Sequence, residues 1–290
     1  MTGKTIKIHC MDGYLLDSTV FEPAADKPKG VVIICSALGV ERRFYHTFAQ
    51  YLCERHFTAV TFDYRGSGGS KPGAFSKPLL LADWGRQDID AVIRYAESLP
   101  GVQHIFLMGH SVGGQLFCLA RNAVNLKGAV LVGASFPWWR RWPFPRNLLV
   151  FFFLHILVPV LGAGRKKFPS RFLGLSKEDL PAGLVTTWAE WARDPDYVTA
   201  EKFGLDTRLF ETLAIPILTV GFDDDTYAPQ KSIQRLQSAL KSADIQARYL
   251  HGKDLHPKGM GHFGFFRESA GKNLWPDTVD WLQARILPPR

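Results

Sequence analysis

A serine flanked by glycines is the residue of this sequence best suited to nucleophilic chemistry. Ser111 lies in the segment Gly-His-Ser-Val-Gly-Gly at residues 109–114. The apolar run at 104–108 predicts a buried strand, and residues 115–120 predict a helix packed on it. Glycines around a serine at a strand-to-helix turn permit the strained backbone of a nucleophile elbow. We therefore expect the Ser111 hydroxyl to stand clear at the carboxyl end of the strand.

A serine hydroxyl needs a base to take its proton and an acid to orient that base. Three consecutive carboxylates, Asp223, Asp224 and Asp225, follow a strand predicted at 217–221. Asp225 is the favoured acid because it lies four residues before Pro229, which suits the start of a helix. Asp224 is the second candidate. Capping of the next helix is the alternative for all three carboxylates, and it is favoured for Asp223.

Three histidines follow a strand predicted at 247–250, namely His251, His256 and His262. His262 is the favoured base because the glycines on either side of His262-Phe263 permit close approach to the serine. His251 adjoins the strand, and His256 precedes a proline, which restricts its backbone. His110, within the turn itself, is expected to pack beneath it.

Backbone N–H groups are needed to stabilise an oxyanion formed at Ser111. Val112 follows the nucleophile and supplies one of them. The second is expected from residues 36–39, after a strand predicted at 30–35, with Leu38 favoured and Ala37 as the alternative.

Strand and helix patterns alternate along most of the chain and predict an α/β fold with a mostly parallel central sheet flanked by helices. The further strands are predicted at 4–10, 14–21, 58–62 and 128–132, and the further helices at 43–56, 88–99, 230–240 and 273–286. The alternation stops at residues 135–210, where no strand is predicted. There, a capping box at 176–179 predicts a helix that runs through Trp188 and Trp191 and stops near residue 194. We divide the chain into a core, residues 1–134 and 211–290, and a helical insertion, residues 135–210.

Composition narrows the possible classes of protein. The chain has 290 residues, of which 46% are hydrophobic and 21% charged, as in a globular protein. Its net charge is +8, but no Lys/Arg run exceeds three residues, which argues against nucleic-acid binding. Four cysteines without a Cys-x-x-Cys motif predict a reduced, cytoplasmic protein. We expect no signal peptide, no membrane-spanning helix, no metal and no cofactor.

Several segments together resemble the α/β-hydrolase superfamily, and more closely bacterial hydrolases similar to the serine aminopeptidase and monoacylglycerol lipase group. They are residues 39–45, 61–66, 83–85, 109–115, 222–225 and 261–266. The order serine, acid, histidine is also that of the α/β hydrolases. The resemblance implies acyl transfer to water through an acyl-enzyme on Ser111, and a helical cap inserted after the sixth strand. The His-Gly pair frequent in the oxyanion loop is replaced here by Ser36-Ala37.

The inserted segment contains Phe136, Trp138, Trp139, Trp142, Phe144 and the apolar run 148–153, which together predict an apolar substrate pocket. The candidate substrate-binding residues are Phe136, Trp138, Trp139 and Trp188, although packing is the favoured role for Trp188 and Trp191. Basic residues flank the apolar run 148–153 and suggest contact with an anionic membrane surface. We favour burial of this run against the core over membrane contact.

The leading hypothesis is a serine hydrolase that cleaves a small-molecule carboxylic ester with an apolar acyl group. An aminopeptidase or amidase of the same fold is one alternative. A non-catalytic protein that uses the capped pocket to hold a ligand is another. The sequence leaves the natural substrate and the oligomeric state open.

Overall fold

Eight strands form one sheet in the order β1-β2-β4-β3-β5-β6-β9-β10 in the computed structural model, which describes residues 3–24, 27–71 and 78–286. β1 and β4 are antiparallel to β2, and the other neighbouring strands of the sheet are parallel. The strands of this sheet are β1 (Lys4–His9), β2 (Leu15–Phe21), β3 (Gly30–Cys35), β4 (Phe57–Phe62), β5 (Ile105–His110), β6 (Gly128–Val132), β9 (Pro216–Phe222) and β10 (Asp244–Leu250).

Helices cover both faces of the sheet and bury its central strands. Every residue of β3, β4, β5 and β6 is buried, as expected for continuous apolar runs in a parallel sheet. The α-helices are α1 (His46–Cys53), α2 (Leu81–Asp83), α3 (Asp90–Ser98), α4 (Val112–Leu116), α5 (Arg146–Phe152), α6 (Val158–Gly162), α7 (Ala182–Ala192), α8 (Arg208–Thr212), α9 (Gln230–Ala239), α10 (Gly252–Leu255), α11 (Glu268–Gly271) and α12 (Trp275–Gln283).

The mostly parallel sheet flanked by helices confirms the predicted fold class. Each predicted strand lies in the sheet, with ends that differ by up to three residues. The predicted helix at 43–56 begins as a 3-10 turn, Arg42–Tyr45, and continues as α1. The helix after Ser111 is shorter than predicted, because α4 ends at Leu116 and a 3-10 turn, Phe117–Leu119, follows.

The segment between β6 and β9 is helical but differs from the prediction in two ways. Two short strands, β7 (Lys167–Phe168) and β8 (Leu180–Pro181), pair there although no strand was predicted. The capping-box prediction is wrong, since α7 begins only at Ala182, after Pro181. The carboxylate of Glu178 instead accepts the Gly68 N–H at 2.7 Å and pairs with Lys71, which connects this segment to the loop after β4. The limits at residues 135 and 210 remain predictions.

A buried ion-pair network holds the loop after β4 in place. The guanidinium of Arg65 is almost fully buried and contacts Asp88 at 2.6 Å and Asp12 at 2.7 Å. Asp88 lies in a π-helical segment, Trp84–Ile89, and also accepts the backbone N–H of Arg65. Asp12 lies in the turn between β1 and β2. The network therefore connects three separate parts of the core.

Removal of the Asp88 carboxylate is expected to destabilise the protein strongly. In Asp88→Ala the free energy of unfolding should fall by about 3 to 5 kcal/mol, because the buried Arg65 charge loses the carboxylate that it contacts at 2.6 Å. Urea denaturation measures the change. The control is Asp206→Ala, which breaks a solvent-exposed pair with Arg208 and should have a far smaller effect. Equal stability of the two variants would contradict a stabilising role for the buried network.

Candidate active site

The backbone of Ser111 has the strained conformation of a nucleophile elbow. Its φ and ψ angles are 52° and −117°, and its N–H donates to the Val132 carbonyl oxygen at 3.0 Å. The strand and helix on either side lie so close that a Cβ on Gly109 would stand 2.5 Å from the Gly114 Cα. The glycines of the predicted elbow are thus required by close packing.

The strain at Ser111 has a measurable consequence for stability. Positive φ costs an L-residue about 1–3 kcal/mol, whereas glycine adopts it freely. The larger unfolded-state entropy of glycine offsets part of this difference. The free energy of unfolding of Ser111→Gly should therefore be about 1 kcal/mol higher than that of Ser111→Ala. Urea denaturation of both variants, neither of which has the hydroxyl, tests this. A less stable glycine variant would show that the turn is not strained.

His262 and Asp225 form a buried pair at the same edge of the sheet. His262 Nδ1 and Asp225 Oδ2 are 2.7 Å apart, and both side chains are at most 5% exposed. The other oxygen of Asp225 accepts the N–H groups of Tyr227 and Ala228 at 2.8 and 3.0 Å. A Cβ on Gly133, the residue after β6, would lie 3.1 to 3.2 Å from this pair, so glycine leaves room for it.

The two other carboxylates of the triplet have different partners. Asp223 accepts from His251 Nδ1 at 2.7 Å and from the N–H of Gly252, the first residue of α10, at 2.8 Å. It therefore does not cap the next helix, α9, as was favoured for it. The Gly252 N–H contact contributes most to a lowered pKa of Asp223. Asp224 accepts the Gly261 N–H at 3.0 Å, next to His262. Of the three, only Asp225 contacts the predicted base.

His110 packs beneath the turn, as predicted, and joins three loops of the site. The Ala37 N–H donates to Tyr45 Oη at 2.9 Å, so the Tyr45 hydroxyl can direct its hydrogen to His110 Nδ1 at 2.7 Å. His110 Nε2–H then donates to the His262 carbonyl oxygen at 2.9 Å. Burial lowers the pKa of His110 well below its ordinary value, and nearby His262 adds to the shift. A neutral His110 in this tautomer satisfies both contacts.

This network distinguishes between the two candidates for the second oxyanion donor. The Ala37 N–H is already bound to Tyr45 Oη. Ala37 and Leu38 both line the cavity that adjoins Ser111, Val112 and His262. The bond of the Ala37 N–H to Tyr45 favours Leu38 as the candidate donor, and that role remains a proposal.

A cavity of about 540 Å³ lies between Ser111, His262 and the inserted helices. Of the four candidate substrate-binding residues, only Trp188 lines this cavity, although packing was the role favoured for it. The wall also includes Trp142 and residues of the continuous helical stretch from α5 through Phe153–Leu157 to α6. The residues of this stretch that line the cavity are Arg146, Leu149, Val150, Phe152, Phe153, Leu154 and Leu157. The sequence predicts Trp142 and the run 148–153 as pocket lining but not Arg146, Leu154 and Leu157, although the spacing 146, 149/150, 153/154, 157 is a helical face.

The structure places Phe136, Trp138 and Trp139 outside the cavity wall, which corrects the prediction for all three. Phe136 is fully buried and packs against Tyr197 and Phe210, so no substrate can reach it. Trp138 and Trp139 contact each other and the guanidinium of Arg140. Trp142 turns inward instead, and its indole N–H donates to the Thr226 carbonyl oxygen at 2.9 Å.

Within the three described stretches of the chain, the helices are all too short or too polar to cross a lipid bilayer. All four cysteines are buried.

Known proteins resemble this chain in both sequence and fold. A predicted monoglyceride lipase of Schizosaccharomyces pombe is 35% identical over 95 residues. That match spans 31% of this chain and 24% of the yeast protein, so the chain covers about a quarter of this relative's length.

Two solved structures match almost the whole chain. A soluble variant of the monoglyceride lipase from Saccharomyces cerevisiae, solved with a substrate analogue, has a TM-score of 0.64 and 15% identity, over 100% of this chain and 97% of that chain. An esterase from Exiguobacterium antarcticum has a TM-score of 0.63 and 17% identity, over 97% of this chain and 100% of that one. At such low identity these likenesses show the fold alone, and that fold is the α/β-hydrolase fold.

The model of the family described as serine aminopeptidase, S33, matches residues 26–181. This range is more than half of the chain and includes the Ser111 elbow and the first part of the inserted segment. It ends before Asp225 and His262. From this match, and from the α/β-hydrolase fold that the structure shows, we conclude that the chain belongs to the serine aminopeptidase S33 family of α/β hydrolases.

Proposed function

We propose that this protein is a serine hydrolase that cleaves carboxylic esters with an apolar acyl group. Ser111 is the proposed nucleophile, His262 the base and Asp225 the acid that orients it. The observation that carries this proposal is the apolar cavity that adjoins both Ser111 and the buried His262–Asp225 pair.

The proposed reaction follows from the positions of these groups. Asp225 accepts the Nδ1–H of His262, which leaves Nε2 free to take the Ser111 proton as the oxygen attacks the ester carbonyl. The Val112 and Leu38 N–H groups stabilise the oxyanion. His262 then donates the proton to the departing alcohol, and an acyl-enzyme remains on Ser111. Water, activated by His262, releases the acid in a second, equivalent cycle.

The chemistry of the cavity wall favours an ester over a peptide N-terminus as substrate. An aminopeptidase binds an α-ammonium group, which requires a nearby carboxylate. Of the described residues that line the cavity, none is Asp or Glu, and the charged group at its wall is Arg146. Leu149, Phe153 and Leu157 offer the apolar surface that an acyl chain needs. The non-catalytic alternative is disfavoured because the His262–Asp225 pair is intact.

Two measurements test the proposal. A fluorophosphonate probe should label the folded protein at Ser111, located by peptide mass. The kcat/KM for p-nitrophenyl octanoate should exceed that for the butyrate at least about tenfold, since each buried methylene contributes about 0.8 kcal/mol. Alanine p-nitroanilide should be a far poorer substrate. Preferred cleavage of the anilide would favour the aminopeptidase alternative, and an unlabelled Ser111 would exclude the nucleophile.

A further inference from the structure

The helical stretch 146–162 is apolar on the side that faces solvent as well as on the side that faces the protein. Leu154 and Val158 are buried, and Phe153 and Leu157 line the cavity. On the other side, five large side chains are between 46% and 69% exposed, which we call the outer face: Leu148, Leu149, Phe152, Ile156 and Val160. A helix that is apolar all round normally has a partner on every side.

The segments before and after this stretch also expose aromatic rings. Phe144 is 79% exposed and Phe172 is 90% exposed. Isolated apolar side chains at a surface are ordinary, but an exposed apolar stripe on one helix indicates an interaction surface. The structure thus differs from the expectation that the apolar run is buried against the core.

The charge of the chain is concentrated around the same stretch. Residues 136–177 contain eight Lys and Arg and no Asp or Glu, so this segment alone carries a formal charge of +8. The whole chain also has a net charge of +8, and the remaining residues are therefore balanced. Five exposed basic residues of this segment form no ion pair within the described part of the chain: Arg140, Arg165, Lys166, Lys167 and Arg171.

We propose that the outer face binds the surface of an anionic phospholipid bilayer, with the stretch 146–162 lying in the plane of the interface. Apolar side chains enter the acyl boundary while unpaired basic groups contact anionic headgroups, which is the pattern of interfacial helices. A second copy of this chain is a poorer occupant, because pairing through this face would bring two segments of charge +8 together.

The outer face is also continuous with the cavity. Leu149 and Phe152 belong to both, and Arg146 lines the cavity at the start of α5. An acyl chain in a docked bilayer would therefore meet apolar side chains that also line the cavity. This last step rests on the proposed ester hydrolysis, whereas bilayer binding itself does not.

Vesicle flotation tests the binding. The protein should float with phosphatidylcholine vesicles that contain about 30% phosphatidylglycerol, at least about tenfold more tightly than with pure phosphatidylcholine, and raised salt should weaken this binding. The full-length Ser111→Ala variant should float equally well. Failure of catalysis and failure of docking are thus distinguishable. Equal or absent binding to the two kinds of vesicle would overturn the proposal.

Surface variants locate the binding site. Combined Leu148→Ser, Val160→Ser and Phe172→Ser should weaken vesicle binding at least about tenfold. Combined Arg165→Gln, Lys166→Gln and Lys167→Gln should do the same. None of these side chains lines the cavity, so turnover of soluble p-nitrophenyl butyrate should be unchanged and reports correct folding.

Matched controls carry equal changes elsewhere on the surface. They are Met11→Ser with Leu80→Ser and Val124→Ser, and Lys127→Gln with Lys231→Gln and Lys253→Gln, all at exposed positions. These controls should bind vesicles within about twofold of the unaltered protein. Sedimentation analysis tests a second copy of the chain as the other occupant. A dimer that the triple serine variant at 148, 160 and 172 dissociates would assign the surface to a second copy and reject the bilayer.

Discussion

The Ser111→Ala variant is expected to lose at least about 10⁴-fold in kcat/KM for p-nitrophenyl octanoate, because the attacking oxygen is removed. His262→Ala should cause a loss of the same order, since Nε2 no longer takes the proton. The double variant should be no worse than either single one, because groups that act as one unit are strongly non-additive. Steady-state kinetics on the four proteins measures these effects.

The structure offers a matched control for the histidine. His251 also bonds an aspartate through Nδ1 at 2.7 Å, but its side chain is 76% exposed and does not line the cavity. His251→Ala should therefore retain activity within a few-fold of the unaltered protein. If His251→Ala were inactive and His262→Ala active, the base would have to be reassigned.

The second large effect concerns the choice among three adjacent carboxylates. Asp225→Asn should lower kcat/KM by about 10⁴-fold. The asparagine oxygen can still accept from the Tyr227 and Ala228 N–H groups, which directs its amide nitrogen to Nδ1 of His262. That nitrogen donates, so the proton of the imidazole moves to Nε2 and the base can no longer accept from Ser111.

Two neighbouring variants complete this experiment. Asp224→Asn should reduce activity only modestly. Its effect would come from a weaker contact with the Gly261 N–H, which positions the loop that carries His262. Asp223→Asn should have the smallest effect, since its partners are His251 and Gly252. Kinetics with a circular-dichroism check of folding distinguishes the three. Loss of activity in Asp224→Asn together with retention in Asp225→Asn would assign the acid to Asp224.

The three adjacent aspartates show the limit of predicting side-chain partners from the local sequence. Spacing to Pro229 favoured Asp225 over Asp224, but three identical side chains in sequence differ only in where the backbone directs them. The loop after β9 turns each toward a different partner. Those partners lie 28 to 37 residues away in sequence. The residues around each aspartate therefore do not indicate which partner it contacts.

For the oxyanion loop the sequence already favoured Leu38 over Ala37, and the structure adds that Tyr45 Oη binds the Ala37 N–H. The cavity wall shows the limit more clearly. The aromatic content of the inserted segment predicted an apolar cavity, yet Phe136 is buried in the core while Trp142 faces the site.

The sequence by itself determined the elements and the chemistry: a buried strand, a glycine-lined turn with Ser111, and an acid and a histidine after later strands. These features depend on apolar periodicity and glycine conformation, which act over a few residues. Only the tertiary structure decided which partners meet and which apolar faces remain exposed. The outer face of 146–162 is the clearest example. Its residues are as apolar as those of the inner side, and their exposure follows from the absence of a described element packed over them.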